Sequence, residues 1–354
     1  MNRLLLLLRV EFRFFRTAPV VHLIAVLQPT LMFLLMSVIM VVPTFDMRVV
    51  EPSTDAGQDL LAAMDDVGSP IGPDYINTIL VDSPEPGHRQ VIEVIDQGGK
   101  STAVQRFGYI DSNLVKNLRN RLTASLLVMW NRDLGGAAIQ ITERPWLPAD
   151  ISYTVYFGMA MIPLAAYLAA AMIGGYLMAG EFEHGTILSF RLCPSSPYLH
   201  LTAKLLRLLI TSMAAAALLY TALGVMTGIW SSSPPAIFLS ILPLAFIGAC
   251  IGLIAGMLTR SALPSFLAAL ASAFAFWLVG SGFGLAAGFS DLFEKISRLI
   301  PNTAVVEMMF PYYYDGRQVA AYPLGAKIQL AAYSLALLAA AILVYKRKVI
   351  KPQR

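Results

Sequence analysis

Between Gly180 and Lys204 the sequence gathers residue types suited to work on a partner: Glu181, Glu183, Gly185, Thr186, Leu188, Pro194, Ser195 and Lys204. Two carboxylates stand two residues apart and end a long apolar run, while Lys204 opens the next. Gly185 allows a chain reversal, Thr186 can cap a short helix, and Pro194 stops it. The chemistry of such a set is ion pairing and docking, not bond breaking. A short helix parallel to a membrane surface is the smallest device that can receive a push from a neighbouring protein. A plain loop between two spans is the alternative.

Other candidates fail on spacing. Gly98-Gly-Lys-Ser-Thr follows the strand-like residues 91–96, as a phosphate-binding loop would. That loop needs a further glycine, separated by four residues from its Gly-Lys pair, so that backbone N–H groups wrap the phosphates. Val94 holds the position instead. His184 stands beside Glu181 and Glu183, but Glu-Phe-Glu-His does not converge three metal ligands on one helix face. Catalytic and metal-binding roles are therefore not assigned to any residue. The long apolar runs are almost free of ionisable side chains, with Arg207 near one end, which disfavours an ion-coupled carrier.

The elements that must position these residues belong to a membrane. The 354 residues are 57% hydrophobic and 14% charged, with a mean hydropathy of +0.65. A soluble domain carries about a quarter charged residues. Runs of about 20 apolar residues mark membrane helices, and they fall at 20–42, 152–179, 205–230, 236–258, 262–288 and 328–345. The expected fold class is an all-α polytopic membrane domain of six transmembrane helices with a mixed α+β extracytoplasmic insert. Arg3, Arg9, Arg13 and Arg16 precede the first run as in a signal peptide. That run is too long for one and lacks a small-residue cleavage site, so it is read as a retained anchor.

Orientation follows from Lys and Arg near the span ends. The N-terminal arginines, Arg191, Lys204, Arg207, Arg260 and the tail Lys346, Arg347, Lys348, Lys351 and Arg354 share one side in a six-span reading. Both termini are then cytoplasmic and residues 43–151 are translocated. The expected domains are an N-terminal interfacial segment (1–19), the first span (20–42), the extracytoplasmic domain (43–151), five further spans (152–345) and a basic tail (346–354). A cytoplasmic coupling region (180–204) and an extracytoplasmic re-entrant or interfacial segment (289–327) lie among the five spans.

Within the insert, residues 91–96 and 137–142 alternate like strands, 112–130 have helical periodicity, and Pro and Gly mark 69–87 as loop. Leu4 to Phe15 mix leucines and phenylalanines with arginines and Glu11. They read as a helix in the membrane interface, or as a basic flank that fixes topology. Gly248, Gly252 and Gly256 would share a helix face, as would Gly280, Gly284 and Gly288. Such faces serve packing within a subunit or a dimer seam. Residues 291–311 are amphipathic, with Asn302 or Thr303 able to cap a helix after Pro301.

The segment from Glu181 to Lys204 resembles the signature of ABC-2 type transporter permeases: acidic-x-acidic-x-Gly-Thr, then Leu, then Pro-Ser and a Lys opening the third span. Glu181, Glu183, Gly185, Thr186, Leu188, Pro194, Ser195 and Lys204 match it. The likeness extends to Arg16-Thr-Ala-Pro19, Pro29 and Pro301, and one span, a large insert and five spans looks like the exporter branch with an extracytoplasmic domain. Gly180 and Cys193 depart from the pattern.

The resemblance implies a permease in the plasma (inner) membrane that binds no cofactor itself. It implies cytosolic ABC ATPase subunits holding ATP and Mg, a second permease (homodimer or heterodimer) and membrane lipid as partners, with no nucleic acid. ATPase coupling would use Glu181, Glu183, Gly185, Thr186, Leu188, Pro194 and Lys204. A substrate path would run past Phe33, Tyr156, Phe157, Phe274 and Trp277, an apolar lining fit for an amphiphilic or hydrophobic cargo. Competing readings are a membrane-anchored sensor whose extracytoplasmic domain binds a ligand, and a membrane-embedded lipid-modifying enzyme. Neither a cytosolic output domain nor clustered catalytic residues are visible in the sequence.

Overall fold

The computed structural model describes residues 2–13, 18–39, 45–67, 76–84, 90–97, 100–107, 112–133, 153–188, 196–282, 291–313 and 324–350. The chain divides into a helical unit, Met1–Met40 with Tyr153–Arg354, and a second unit, Val41–Ser152.

The helical unit contains α1 (Asn2–Arg13) and α2 (Pro19–Ile39). After the second unit it continues with α5 (Tyr153–Glu183), α6 (Pro197–Thr227), α7 (Pro234–Thr259) and α8 (Ala262–Val279). The short α9 (Asp291–Arg298) and α10 (Pro301–Met309) and the long α11 (Leu324–Tyr345) complete it. Six helices (α2, α5, α6, α7, α8 and α11) are long and apolar enough to cross a membrane, so the chain is a multi-pass helical membrane protein. α5 is the axis of the unit. Its apolar stretch is entirely buried, and α2, α6, α7 and α8 pack around it.

Close approach explains the glycine stripe of α7. A Cβ at Gly248, Gly252 or Gly256 would fall within 2.7 Å of the carbonyl oxygens of Tyr167, Ala171 and Gly175 on α5. These glycines let two backbones touch inside one subunit, the packing use of small residues in membranes. Of the second stripe, Gly280 packs against Asn302 and Ile300 of the same chain, whereas Gly284 and Gly288 lie outside the described residues.

Several span limits differ from those read in the sequence. α6 begins at Pro197, not at 205, so Lys204 lies inside the helix together with Arg207. Proline suits the first helical turn, and both cations are paired, so the helix tolerates them. α8 ends at Val279, followed by Gly280 and by Ser281 at φ +66°. α11 begins at Leu324. α10 is buried among α5, α7 and α11 rather than lying over them. Asn302 and Thr303 do not cap it. Asn302 Nδ2 donates to Gly280 O at 2.5 Å and Thr303 Oγ1 donates to Ser297 O at 2.6 Å.

The second unit is α+β. Strands β1 (Phe45–Val50), β2 (Ile76–Val81), β3 (Gln90–Gln97) and β4 (Lys100–Phe107) form one sheet in the order β2-β1-β3-β4. β1 pairs parallel to β2 and β3, and β3 pairs antiparallel to β4 with Gln97 opposite Lys100. Helix α3 (Asp55–Asp65) crosses over between β1 and β2, and α4 (Ser112–Asp133) packs against it. Met47, Val49, Leu60, Met64, Ile92 and Leu118 centre its core. The strand expected at 91–96 and the helix expected at 112–130 are present. The stretch 69–87, read as loop, contains β2, whose Ile-Asn-Thr-Ile-Leu-Val run has strong β preference. Lys100, Ser101 and Thr102 of the rejected phosphate-loop candidate belong to β4. The strand expected at 137–142 lies outside the described residues.

Candidate functional site

α5 carries no charged residue until its last turn, where Glu181 and Glu183 stand. Residues two apart on a helix face different directions, and these two carboxylates bind different parts of the molecule. Glu181 is 7% exposed and pairs with Lys204 of α6. Lys204 Nζ also donates to Glu11 Oε1 of α1 at 2.8 Å, and Arg207 Nη1 donates to Glu11 Oε2 at 3.2 Å. Arg207 Nη2 meets His22 Nε2 of α2 at 2.5 Å, while His22 Nδ1 meets Ala18 O at 2.8 Å. A carbonyl can only accept, so the imidazole proton sits on Nδ1 and Nε2 accepts from Arg207. The result is a buried cluster of two carboxylates and two cations, tying α1, α2, α5 and α6 together. Charges taken from water need such partners. Glu181 Oε2 has none among the described residues, so the pairing through Oε1 is what offsets burial of this carboxylate.

Glu183 remains exposed and turns to the α7–α8 junction. Its Oε1 accepts from Ser261 Oγ at 2.9 Å and from Ala262 N at 2.8 Å. A carboxylate at a helix N-terminus satisfies a free backbone N–H and complements the helix dipole. The same junction holds Arg260 at φ +54°, its guanidinium 5.5 Å from the centre of the Phe182 ring. The acidic pair thus fastens the end of α5 to both of its flanks.

Beyond the pair the chain reverses. His184 Nδ1 donates to Gly180 O at 2.7 Å, and Gly185 adopts φ +70°, the left-handed conformation expected of a reversal there. The helix that Thr186 was expected to cap lies mostly outside the described residues, and Thr186 itself belongs to the turn. Its hydroxyl donates backwards to Glu181 O at 3.3 Å, closing the end of α5. Leu188 is 57% exposed. A cavity of about 280 Å³ opens beside the turn, lined by Tyr176, Gly180, Glu183, His184 and Thr186 among others. Pro194 lies outside the described residues.

The chain matches no protein-family model and no curated protein sequence. What the site can do therefore rests on its geometry.

The aromatic residues expected along a substrate path meet between α2, α5 and α8, and their observed contacts are packing contacts. Phe33, Phe157 and Trp277 are at most 1% exposed. Phe157 and Trp277 meet edge to face at 5.7 Å, and Trp277 Nε1 donates to Ala160 O at 2.9 Å. Phe274, half-buried, lies 6.5 Å from Trp277. Tyr156 is half-buried, donates to Ser281 O at 2.8 Å and meets Phe310 edge to face.

Sequence reasoning passed over Glu11 and His22. Leu4, Leu7, Leu8 and Glu11 form the inner stripe of α1, while Leu5, Leu6, Arg9 and Phe12 face outward. A lone acid in register with leucines 4, 7 and 8 was the available signal, since a carboxylate on the packed stripe of a helix calls for a buried cation.

Proposed function

We propose that this chain is the permease subunit of an ATP-driven ABC exporter, moving an amphiphilic or hydrophobic substrate outward with a separate ATPase. The observation that carries the reading is the double fastening of the exposed turn at residues 184–188. Through Glu181 it is joined to α1, α2 and α6, and through Glu183 to the start of α8. A push on His184, Gly185 and Leu188 therefore reaches several membrane helices at once, as energy coupling requires.

In this reading the turn is cytoplasmic, as are both termini, and the α+β unit is extracytoplasmic in the plasma (inner) membrane. ATP and Mg belong to the partner ATPase, whose closure presses on the turn. Leu188, His184 and the cavity beside them form the contact, while Glu181 and Lys204 transmit the motion from inside and Glu183 passes it to the start of α8 at the surface. A second permease, identical or related, completes the pathway. Phe274 and Tyr156, the half-buried members of the aromatic group, are the ones able to meet cargo.

The test is reconstitution of the full chain with a candidate ATPase subunit, comparing wild type, Leu188→Ala and the Glu181→Ala/Glu183→Ala double variant. Co-purification of the ATPase, weakened by Leu188→Ala, together with substrate-stimulated hydrolysis lost in the double variant, is the expected result. If the chain retains no ATPase and neither variant changes any readout, the exporter reading fails. The α+β unit as a ligand sensor is then the next reading to test.

A further inference from the structure

The cavity of about 280 Å³ beside the turn is bounded by Ala18 ahead of α2, the last two turns of α5 and Lys204 of α6. That volume is many times the ~30 Å³ that one water occupies in the liquid, so the space suits a small organic ligand. One apolar span starts at Pro19 and another ends at Glu183. The cavity therefore lies at the membrane surface, not in the hydrocarbon.

Its chemistry is set by Glu181. That residue lines the cavity and is 7% exposed, and its Oε2 has no hydrogen-bond partner among the described residues. An unmet carboxylate oxygen away from bulk water is costly, and a donor entering the cavity offsets that cost.

The balance of the lining calls for a donor that carries positive charge. Glu183 binds the neutral donors Ser261 Oγ and Ala262 N, not a cation. Lys204 is the cation of the lining among the described residues, and its Nζ is already held by Glu11 and Glu181. His184 gives its Nδ1 proton to Gly180 O, which in the neutral ring leaves Nε2 as an acceptor. Arg260, the cation of the neighbouring junction, lies over the Phe182 ring and does not line the cavity. Two carboxylates and an imidazole acceptor thus share the cavity with one engaged lysine.

We propose that this cavity binds a primary ammonium group, which donates to Glu181 Oε2 while its short stem lies against Tyr176 and Leu177. A free small amine and the headgroup of phosphatidylethanolamine share that chemistry, and a site at the membrane surface is open to both. The assignment does not rest on the exporter reading.

The test uses the full chain without any ATPase, so its outcome is read separately from that reading. In maltoside detergent, which carries neither amine nor charge, ethanolamine is titrated and its binding followed by saturation-transfer NMR. Choline, of equal charge but without an N–H, is the comparison. Wild type binds ethanolamine saturably and about tenfold more tightly than choline, the worth of one hydrogen bond to a charged group. Glu181→Gln weakens ethanolamine binding by a similar factor.

Gly180→Leu fills the cavity and removes binding. A Cβ at Gly180 meets nothing nearer than His184 Nδ1 at 4.0 Å, so α5 accommodates the change. Gly325→Leu, the same change where a Cβ meets nothing within 4 Å, leaves binding intact. A second arm embeds the chain in phosphatidylcholine nanodiscs with a minor fraction of phosphatidylethanolamine and reads retained lipid by native mass spectrometry. Selective retention of phosphatidylethanolamine, lost in Gly180→Leu, supports the site with lipid as the source. Ethanolamine binding without such retention supports it with a free amine. Equal binding by wild type and Gly180→Leu overturns the site, as does absence of both ligands. Choline bound as tightly as ethanolamine, or undiminished binding in Glu181→Gln, overturns donation to Glu181.

Discussion

Lys204 Nζ lies 2.8 Å from Glu11 Oε1, a buried ion pair between residues 193 positions apart in the chain. It joins the N-terminal helix to the same lysine that receives Glu181 from the end of α5. The N-terminal helix is therefore part of the mechanical frame around the turn, not merely a basic flank.

Removing Glu11 leaves Arg207 with the neutral His22 as its remaining contact in the cluster and strips Lys204 of one of two carboxylates. Glu11→Ala is expected to destabilise the helical unit by about 3 kcal/mol, the usual cost of breaking a buried pair from one side. Glu11→Leu combined with Arg207→Met removes both charges and is expected to cost well under the sum of the single changes. Thermal unfolding of the purified chain in detergent reads both. An additive double variant means the pair is not coupled.

Glu183 holds the first amide of α8 through Ala262 N at 2.8 Å. Glu183→Ala is expected to loosen the start of α8, as loss of a helix cap does. The specific sign is faster hydrogen exchange at the start of α8, with the middle of the helix unchanged. Unaltered exchange there would show that the contact does no capping.

Gly252 and Gly325 make opposite forecasts. A Cβ at Gly252 would stand 2.2 Å from Ala171 O, whereas nothing lies within 4 Å of one at Gly325. Gly252→Ala forces α5 and α7 apart and is expected to cost 1 to about 3 kcal/mol or to abolish folding. Gly325→Ala is expected to be neutral or to stabilise by up to about 1 kcal/mol through helix propensity. Expression yield and melting temperature compare the two, and equal behaviour would refute the close packing of α5 on α7.

The α+β unit has its own core, so damage there stays local. Leu60 is 2% exposed beneath the sheet. Leu60→Ala is expected to cost about 2–5 kcal/mol. Hydrogen exchange should rise across α3, α4 and the four strands while the membrane helices keep their protection. A matching loss in α5 would show that the two units unfold as one.

The spans were legible because hydrocarbon thickness sets a helix length, and runs of about 20 apolar residues announce it. Their ends were less so. Hydropathy falls at Lys204, so the sequence places the start of the third span at 205, whereas pairing with Glu11 and Glu181 lets the helix carry that lysine and start at Pro197. In the second unit, the period of residues 112–130 revealed α4. β2 stayed hidden between proline and glycine clusters because its pairing partner, β1, lies about thirty residues away. Gly185 was read correctly because a left-handed turn is a property of one residue.

Taken alone, the sequence determined that the chain crosses a membrane repeatedly, carries one polar turn of distinctive composition and reverses at Gly185. Those features depend on composition, length and local backbone freedom. The destinations of the charges were decided only by the tertiary structure. Glu181 and Glu183 are two residues apart and chemically alike, yet one is buried against Lys204 and the other caps α8 from the surface. That difference arises because a helix turns about 100° per residue, and what stands on each side of it is set by helices far away in the chain.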